Sequence, residues 1–108
     1  MALIRILKGI AIADNEIKMA ELNILKRVGQ KLNISTQEFV ESDKLTLLQA
    51  ASALHDLSPE KKQYIANLIA LLIIIDGDID AREMAIGAFV TSMCDLPEAN
   101  AQQALIDL

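Results

Sequence analysis

The sequence has few of the side chains on which enzymes and disulfide-rich proteins depend. It contains one cysteine, one histidine, one tyrosine, two phenylalanines and no tryptophan in 108 residues. A single cysteine excludes a disulfide within the chain and suits the reducing cytosol. The lone histidine, His55, ends a predicted helix, where the helix dipole stabilises an imidazolium, and no motif links it to Cys94. Glycine-rich phosphate loops, paired-cysteine metal sites and nucleophile elbows are also absent, so the sequence predicts a protein that is not an enzyme.

Long hydrophobic runs and an excess of basic residues are missing as well. The longest apolar run covers residues 68–75, whereas a membrane-spanning helix needs about 20 residues. Residues 1–54 hold seven Lys/Arg and six Asp/Glu, and residues 55–108 hold three and nine, so the halves carry +1 and −6. Nucleic-acid binding requires a basic surface and is not expected. We therefore expect a cytoplasmic protein without an integral membrane segment, whose acidic half suits a basic protein partner or a cation.

What the sequence does have is apolar residues in helical patterns. They make up 53% of the chain, with leucine, isoleucine and alanine prominent, which favours helices over strands. Ser35 with Glu38 and Asp80 with Glu83 match capping boxes, a frequent start of a helix. These signals predict a single all-α domain of seven helices, at residues 3–13, 18–32, from 35, 43–54, 59–75, 81–94 and from 97. The helix at 59–75 is apolar nearly all round, so it is predicted to be the buried central helix.

An internal repeat is the most informative pattern. The segment ADNEIKMAE at residues 13–21 returns as IDGDIDARE at residues 75–83, an offset of 62. With the same offset, apolar positions coincide further along, Ile24 with Ile86, Val28 with Val90 and Ile34 with Leu96. A fixed period without gaps indicates duplication of one supersecondary unit. The sequence therefore predicts a first repeat at about 3–41, a connector helix at 43–54 and a second repeat at about 59–107.

This twice-occurring pattern, an aspartate and a glycine or asparagine followed by isoleucine, glutamate and an amphipathic helix, resembles the TerB-like family. The family includes tellurite-resistance TerB proteins and the related domain of membrane-anchored J-domain co-chaperones. The resemblance covers nearly the whole chain and implies a helical bundle with two pseudo-symmetric helix-turn-helix repeats. It also implies association with stress or metal-resistance systems, and acidic turns suspected of cation binding. Two positions depart from the pattern: Asn15 stands where glycine is usual, and Lys18 stands where the second copy has Asp80.

The acidic turns of the two repeats are the candidate metal site. Hard cations such as Ca²⁺ and Mg²⁺ bind clustered carboxylates, and two repeats packed together would supply Asp14, Glu16, Glu21, Asp76, Asp78, Asp80 and Glu83. The competing interpretation is helix punctuation, since Asp80 and Glu83 already match a capping box and Gly77 stops the preceding helix. An EF-hand is excluded, because Ala81 stands where its loop needs glycine and Gly87 where it needs glutamate.

The sixth predicted helix carries the candidate contact surface. The positions of the second helix that are expected to face water correspond in the repeat to Ala85, Ala88, Phe89, Ser92 and Met93. A helix that is apolar on both sides must be covered on both sides. The cover is either the last helix, through Leu105 and Ile106, or another molecule at an interface made by Ala85, Ala88, Phe89 and Met93.

These observations together predict a non-catalytic, TerB-like protein-interaction module associated with stress or tellurite-type resistance. A divalent cation, Ca²⁺ or Mg²⁺, is the one ligand that the acidic turns suggest. The alternative is a metal-free structural or regulatory adaptor that forms a homodimer through the sixth helix. Binding of a protein partner and homodimerisation both place the apolar side of that helix at an interface.

Overall fold

The computed structural model describes residues 2–13, 16–75, 77 and 79–108. Over these residues the fold is all-α, without strands, and the predicted seven-helix architecture is confirmed. The helices are α1 (Ala2–Ala11), α2 (Met19–Lys31), α3 (Thr36–Glu41), α4 (Leu47–His55), α5 (Pro59–Ile74), α6 (Ala81–Cys94) and α7 (Ala101–Asp107), with a 3₁₀ helix at Ser42–Lys44. Within the described part of the chain, every helix is too short or too polar to cross a membrane.

Side-chain caps fix where most of the helices begin. The hydroxyl of Ser35 accepts a hydrogen bond from the amide of Glu38 at 3.1 Å, and the Glu38 carboxylate accepts one from the Ser35 amide at 3.3 Å. This reciprocal pair is the predicted capping box, which satisfies two amides that the helix leaves without partners. The hydroxyl of Ser58 caps α5 by accepting a hydrogen bond from the Lys61 amide at 3.3 Å, with Pro59 at the first helical position.

Two predicted helix starts were wrong. The fourth helix begins at Leu47 rather than at 43, because residues 42–44 form the 3₁₀ helix and Thr46 caps α4 through the amide of Gln49. The last helix begins at Ala101 rather than at Pro97, because Asn100 is its cap. A helix start thus follows the residue whose side chain can satisfy its first amides.

The backbone supports the interpretation of the chain as a duplication. Asn33 and Asp95, which are 62 residues apart, both adopt the left-handed conformation just after α2 and α6, with φ of 57° and 53°. The next amide in each copy then bonds five residues back, from Ile34 to the Gly29 carbonyl at 2.8 Å and from Leu96 to the Thr91 carbonyl at 3.0 Å. This is the hydrogen bond of a Schellman motif. The two helices therefore end in the same way.

The core is built around α1 and the middle of α5. Eight of the ten residues of α1 are buried, and the helix packs against α2, α4, α5 and α6. In α5 the leucines at 68, 71 and 72 are fully buried, whereas Ile74 is 45% exposed. The predicted burial of α5 is therefore confirmed for its middle, and α1 is buried more completely still.

A buried lysine joins α1 to the segment before α4. The Lys8 ammonium donates hydrogen bonds to the Phe39 carbonyl at 2.9 Å and to the Ser42 hydroxyl at 3.3 Å. It also lies 2.6 Å from an Asp43 carboxylate oxygen and 4.4 Å from the centre of the Phe39 ring. Because the charge is 9% exposed, these contacts replace the water that it loses on folding. The network holds the end of α3 against α1.

Candidate functional site

The outward side of α6 is apolar and exposed. Phe89 is 41% exposed and Met93 is 38% exposed, and Ala85 and Ala88 are exposed beside them. The structure therefore brings the four residues of the predicted interface onto one side of one helix. At the corresponding positions of α2, the polar residues Asn23, Lys26, Arg27, Gln30 and Lys31 are exposed, as expected. Helices α2 and α6 end in the same way but differ in the surface that they present.

The last helix does not cover this surface. Helix α7 packs mainly against α5, and its residues Leu105 and Ile106 are themselves 53% and 74% exposed. Of the two covers that the sequence left open, the intramolecular one is therefore wrong. Among the described residues, the outward side of α6 has no cover, which is uncommon for an apolar helix face.

A groove runs beside this surface, between α5 and α6. Its α5 wall is made by Ala66, Ile69 and Ile73, and its α6 wall by Met84, Ala88 and Thr91. The turn before α7 closes one end with Pro97 and Glu98, and the groove encloses about 400 Å³. From Met84 to Thr91 the groove follows two turns of α6, a length of about 10 Å. Apart from Thr91 and Glu98, the residues that line it are apolar or glycine.

Gly87 sets the depth of the groove. A Cβ atom at this position would lie 3.0 Å from Ile73 Cδ1 and 3.3 Å from Ile69 Cγ2, tighter than ordinary van der Waals contact. The corresponding residue of α2 is Leu25, which is buried. A leucine in place of Gly87 would therefore collide with Ile69 and Ile73, so the glycine is what lets these two side chains of α5 approach α6 so closely.

The Asp80 carboxylate serves as the N-cap of α6. One of its carboxylate oxygens accepts hydrogen bonds from the amides of Arg82 at 2.8 Å and Glu83 at 3.3 Å. The Arg82 guanidinium donates to both oxygens, at 3.3 Å and 3.1 Å. This side-chain hydrogen bond from Arg82 is the main reason that the pKa of Asp80 lies below its usual range. The predicted cap at the start of α6 is confirmed.

The remaining candidate metal ligands do not gather into a site within the described residues. Glu21 and Glu83 occupy equivalent buried positions, at 0% and 1% exposure, and Glu21 accepts a hydrogen bond from the Lys18 amide at 3.3 Å. Glu16 is exposed. Asp14, Asp76 and Asp78 lie outside the described residues. In the part of the chain that the structure describes, groups of three or more acidic, histidine or cysteine ligands are absent, so that part alone does not fit a cation.

Gly77 carries out the predicted helix stop. Its φ of 78° is left-handed, which suits glycine, and its amide bonds the Ile74 carbonyl at 3.0 Å. Helix α5 ends at Ile74. Gly77 and Asp80 thus have structural roles, the first in ending α5 and the second in starting α6.

Cys94 and His55 are the side chains of the types that enzymes often use as nucleophile and base, and both lie where a helix ends. Cys94 is fully buried, as predicted, and its thiol lies 3.1 Å from the Ala51 carbonyl, which accepts its hydrogen bond. Burial raises the pKa of this thiol, so its neutral form is favoured. His55 is the last residue of α4, as predicted, and lies exposed with its Nδ1 3.2 Å from Asp56.

Reasoning from the sequence missed the groove. The exposed side of α6 could be identified, because apolar residues replace the polar residues of α2 in the repeat. The groove depends on how closely α5 approaches α6 and on where the turn before α7 runs. One signal was present: Gly87 stands in the repeat where the first copy has Leu25.

The chain is similar to a solved structure of a protein that is described as being of unknown function. A crystal structure of a protein of unknown function from Porphyromonas gingivalis W83 matches it with a TM-score of 0.75 and 27% sequence identity. The match covers 98% of this chain and 89% of that chain. Searches of protein-family models and of curated proteins found no match.

Proposed function

We propose that this chain is a non-catalytic protein-interaction module that binds its partner through the outward side of α6. The observation that carries the proposal is the apolar surface made by Ala85, Ala88, Phe89 and Met93, which remains exposed because α7 packs elsewhere. Phenylalanine and methionine are enriched at protein interfaces, and methionine adapts its shape to a partner. The polar character of the same positions in α2 supports a specific role for this surface in the second copy.

Replacing Phe89 by lysine is expected to abolish partner binding and to leave the protein folded. Phe89 is 41% exposed, so the change is expected to alter the free energy of unfolding by about 1 kcal/mol or less. A buried phenylalanine would cost about 3–5 kcal/mol when truncated. Partner binding should fall at least about tenfold, as it does when a central aromatic anchor is lost. The measurement uses a partner captured from cell extract, then purified and titrated against both forms of the chain.

The matched control is Gln30→Lys, which adds the same charge to the exposed side of α2. This variant should bind the partner as the unaltered chain does. Sedimentation velocity distinguishes binding of a different protein from the alternative, a homodimeric adaptor. In the homodimeric case the unaltered chain would sediment as a dimer and the Phe89→Lys variant as a monomer. Equal partner binding by both lysine variants would exclude the proposed surface.

The resemblance to the TerB-like family supports a role for this module in stress or tellurite-type resistance. The support lies in the repeated acidic turns, which begin at Asp14 and Asp76. A tellurite-sensitive host that expresses the chain should grow at higher tellurite concentrations, and the Phe89→Lys variant should lose that protection. Equal growth with and without the chain would remove tellurite from the proposal and leave the interaction surface untouched.

A divalent cation at the acidic turns is our secondary proposal. Its support is the density of carboxylates in the sequence around Asp76, Asp78 and Asp80, since Ca²⁺ and Mg²⁺ prefer such oxygen ligands. Millimolar Ca²⁺ or Mg²⁺ is expected to raise the melting temperature, because a ligand that binds only the folded state stabilises it by about 2.7 kcal/mol at 100 times its Kd. The Asp78→Asn variant should lose this increase. A melting temperature that ignores both ions would exclude the cation.

A further inference from the structure

We propose that the groove between α5 and α6 binds an amphipathic helix of the partner protein, with lysine or arginine residues along the edges of its apolar stripe. The inference rests on the proposed function and names the chemistry of the partner. It is carried by the shape of the groove and by the charge of the surface around it.

The shape of the groove suits a helix. Its walls are apolar on both sides, with Ile69 and Ile73 facing Met84 and Ala88. Its length of about 10 Å admits two turns of a helix, with anchors spaced at i, i+3 or i+4, and i+7. Ile74 and Ile79, which are 45% and 58% exposed, also line the groove and add to its accessible apolar surface. Such a groove is typical of proteins that recognise an amphipathic helix by its apolar stripe.

The charge of the surface determines which kind of helix it suits. From the start of α5 onward, residues 59–108 hold eight acidic residues, of which Glu83 is buried, and three basic residues, Lys61, Lys62 and Arg82. The Arg82 guanidinium is turned back onto the Asp80 carboxylate, so it does not offset the remaining acids. Among the residues that the structure describes, the one charged side chain that lines the groove is Glu98, at the end formed by the turn before α7. A helix with basic residues beside its apolar stripe would meet complementary charge there.

The same charge disfavours two other occupants. A second copy of the chain would bring its own acidic second half against this one, and like charges across an interface cost free energy. A membrane with anionic lipids would likewise be repelled by an acidic surface, whereas surface-binding helices are rich in lysine and arginine. The observations therefore favour a basic helix from a different protein.

The test uses two synthetic helical peptides of about 18 residues, long enough to populate a helix. Both carry leucines at i, i+3, i+4 and i+7, and their flanking positions are all lysine in one peptide and all glutamate in the other. Fluorescence anisotropy with the full chain measures both affinities. The lysine peptide is expected to bind at least about tenfold more tightly, and this difference should shrink as salt is added.

Two substitutions locate the binding in the groove. Thr91→Arg places a long basic side chain on the exposed α6 wall and should weaken the lysine peptide at least about tenfold. If circular dichroism shows that this variant has lost helix, Ala88→Arg, on the same exposed wall, takes its place.

Glu98→Lys, which reverses the charge at one end of the groove, should weaken binding of the lysine peptide about fivefold. Its matched control is Asp56→Lys, which makes the same change of charge at an exposed residue outside the groove and should change affinity less than about twofold.

Each outcome separates this inference from the proposed function. Equal affinity of the two peptides, or equal losses in Glu98→Lys and Asp56→Lys, would overturn the basic helix as the ligand. Peptide binding that survives Thr91→Arg or Ala88→Arg would overturn the groove as its site. A dimer that Thr91→Arg dissociates, or stronger binding to phosphatidylglycerol vesicles than to the peptide, would overturn the basic helix as the ligand. The proposed function fails separately, when Phe89→Lys leaves partner binding unchanged.

Discussion

Truncation of Leu7 to alanine is expected to lower the free energy of unfolding by about 3 kcal/mol. Leu7 is fully buried on α1, the helix that packs against α2, α4, α5 and α6. The substitution removes apolar contacts and leaves a cavity that these helices cannot collapse into without losing other contacts. Urea denaturation followed by circular dichroism measures the change, since the helical signal of the whole bundle is lost on unfolding.

The comparison variant is Ile74→Ala near the end of α5. Because Ile74 is 45% exposed, its truncation should cost less than about 1 kcal/mol. We thus expect α5, whose apolar pattern predicted complete burial, to tolerate Ile74→Ala, whereas α1 does not tolerate Leu7→Ala. A similar cost for both variants would mean that α1 does not form the centre of the core.

Replacing Lys8 by alanine is expected to cost about 2–3 kcal/mol. The substitution removes the hydrogen bonds to the Phe39 carbonyl and the Ser42 hydroxyl, together with the contact between the ammonium and the Phe39 ring. The segment that joins α3 to α4 would then lose its main polar attachment to α1. Hydrogen exchange should show faster exchange of the amides at residues 39–45, in addition to the lower global stability.

Asp43→Ala tests whether the ion pair or the buried hydrogen bonds matter in this network. Asp43 lies 2.6 Å from the Lys8 ammonium, but its side chain is 65% exposed, and exposed ion pairs contribute less than about 1 kcal/mol. We therefore expect Asp43→Ala to be mild where Lys8→Ala is severe. Equal losses would assign the stabilisation to the ion pair, contrary to this account.

The parts of the fold that could be predicted from the sequence are those with local causes. A cap involves residues three positions apart, so Ser35 with Glu38, and Ser58 before Pro59, could be identified directly. The start of α4 was also local, since Thr46 and Gln49 form a capping box, and that signal was overlooked.

The start of α7 has a cause that is distant in the sequence. The amide of Asn100 donates a hydrogen bond to the side chain of Asn67 at 2.8 Å, across 33 residues. Asn67 is buried on α5, so this contact fixes the residue that caps α7. A local signal was present as well, since the Asn100 side chain caps α7 by accepting a hydrogen bond from the Gln103 amide at 3.1 Å.

The candidate site, too, could be predicted only in part from the sequence. The exposure of the α6 surface could be predicted by comparing the two repeats, because Ala88 and Phe89 stand where the first repeat has Lys26 and Arg27. Whether α7 covered that surface depended on the packing of α7 against α5, which the sequence left open. The groove required the distance between two helices, of which Gly87 was the only trace in the sequence.

The matching left-handed residues at Asn33 and Asp95 have a consequence for how such a chain can diversify. They end α2 and α6 with the same backbone geometry although four of the five matched outward positions change from polar to apolar. The backbone at the end of α6 therefore does not depend on which side chains α6 exposes. Substitutions on the outward side of α6 can therefore change what the molecule binds without disturbing the ends of the two helices or the polar surface of α2.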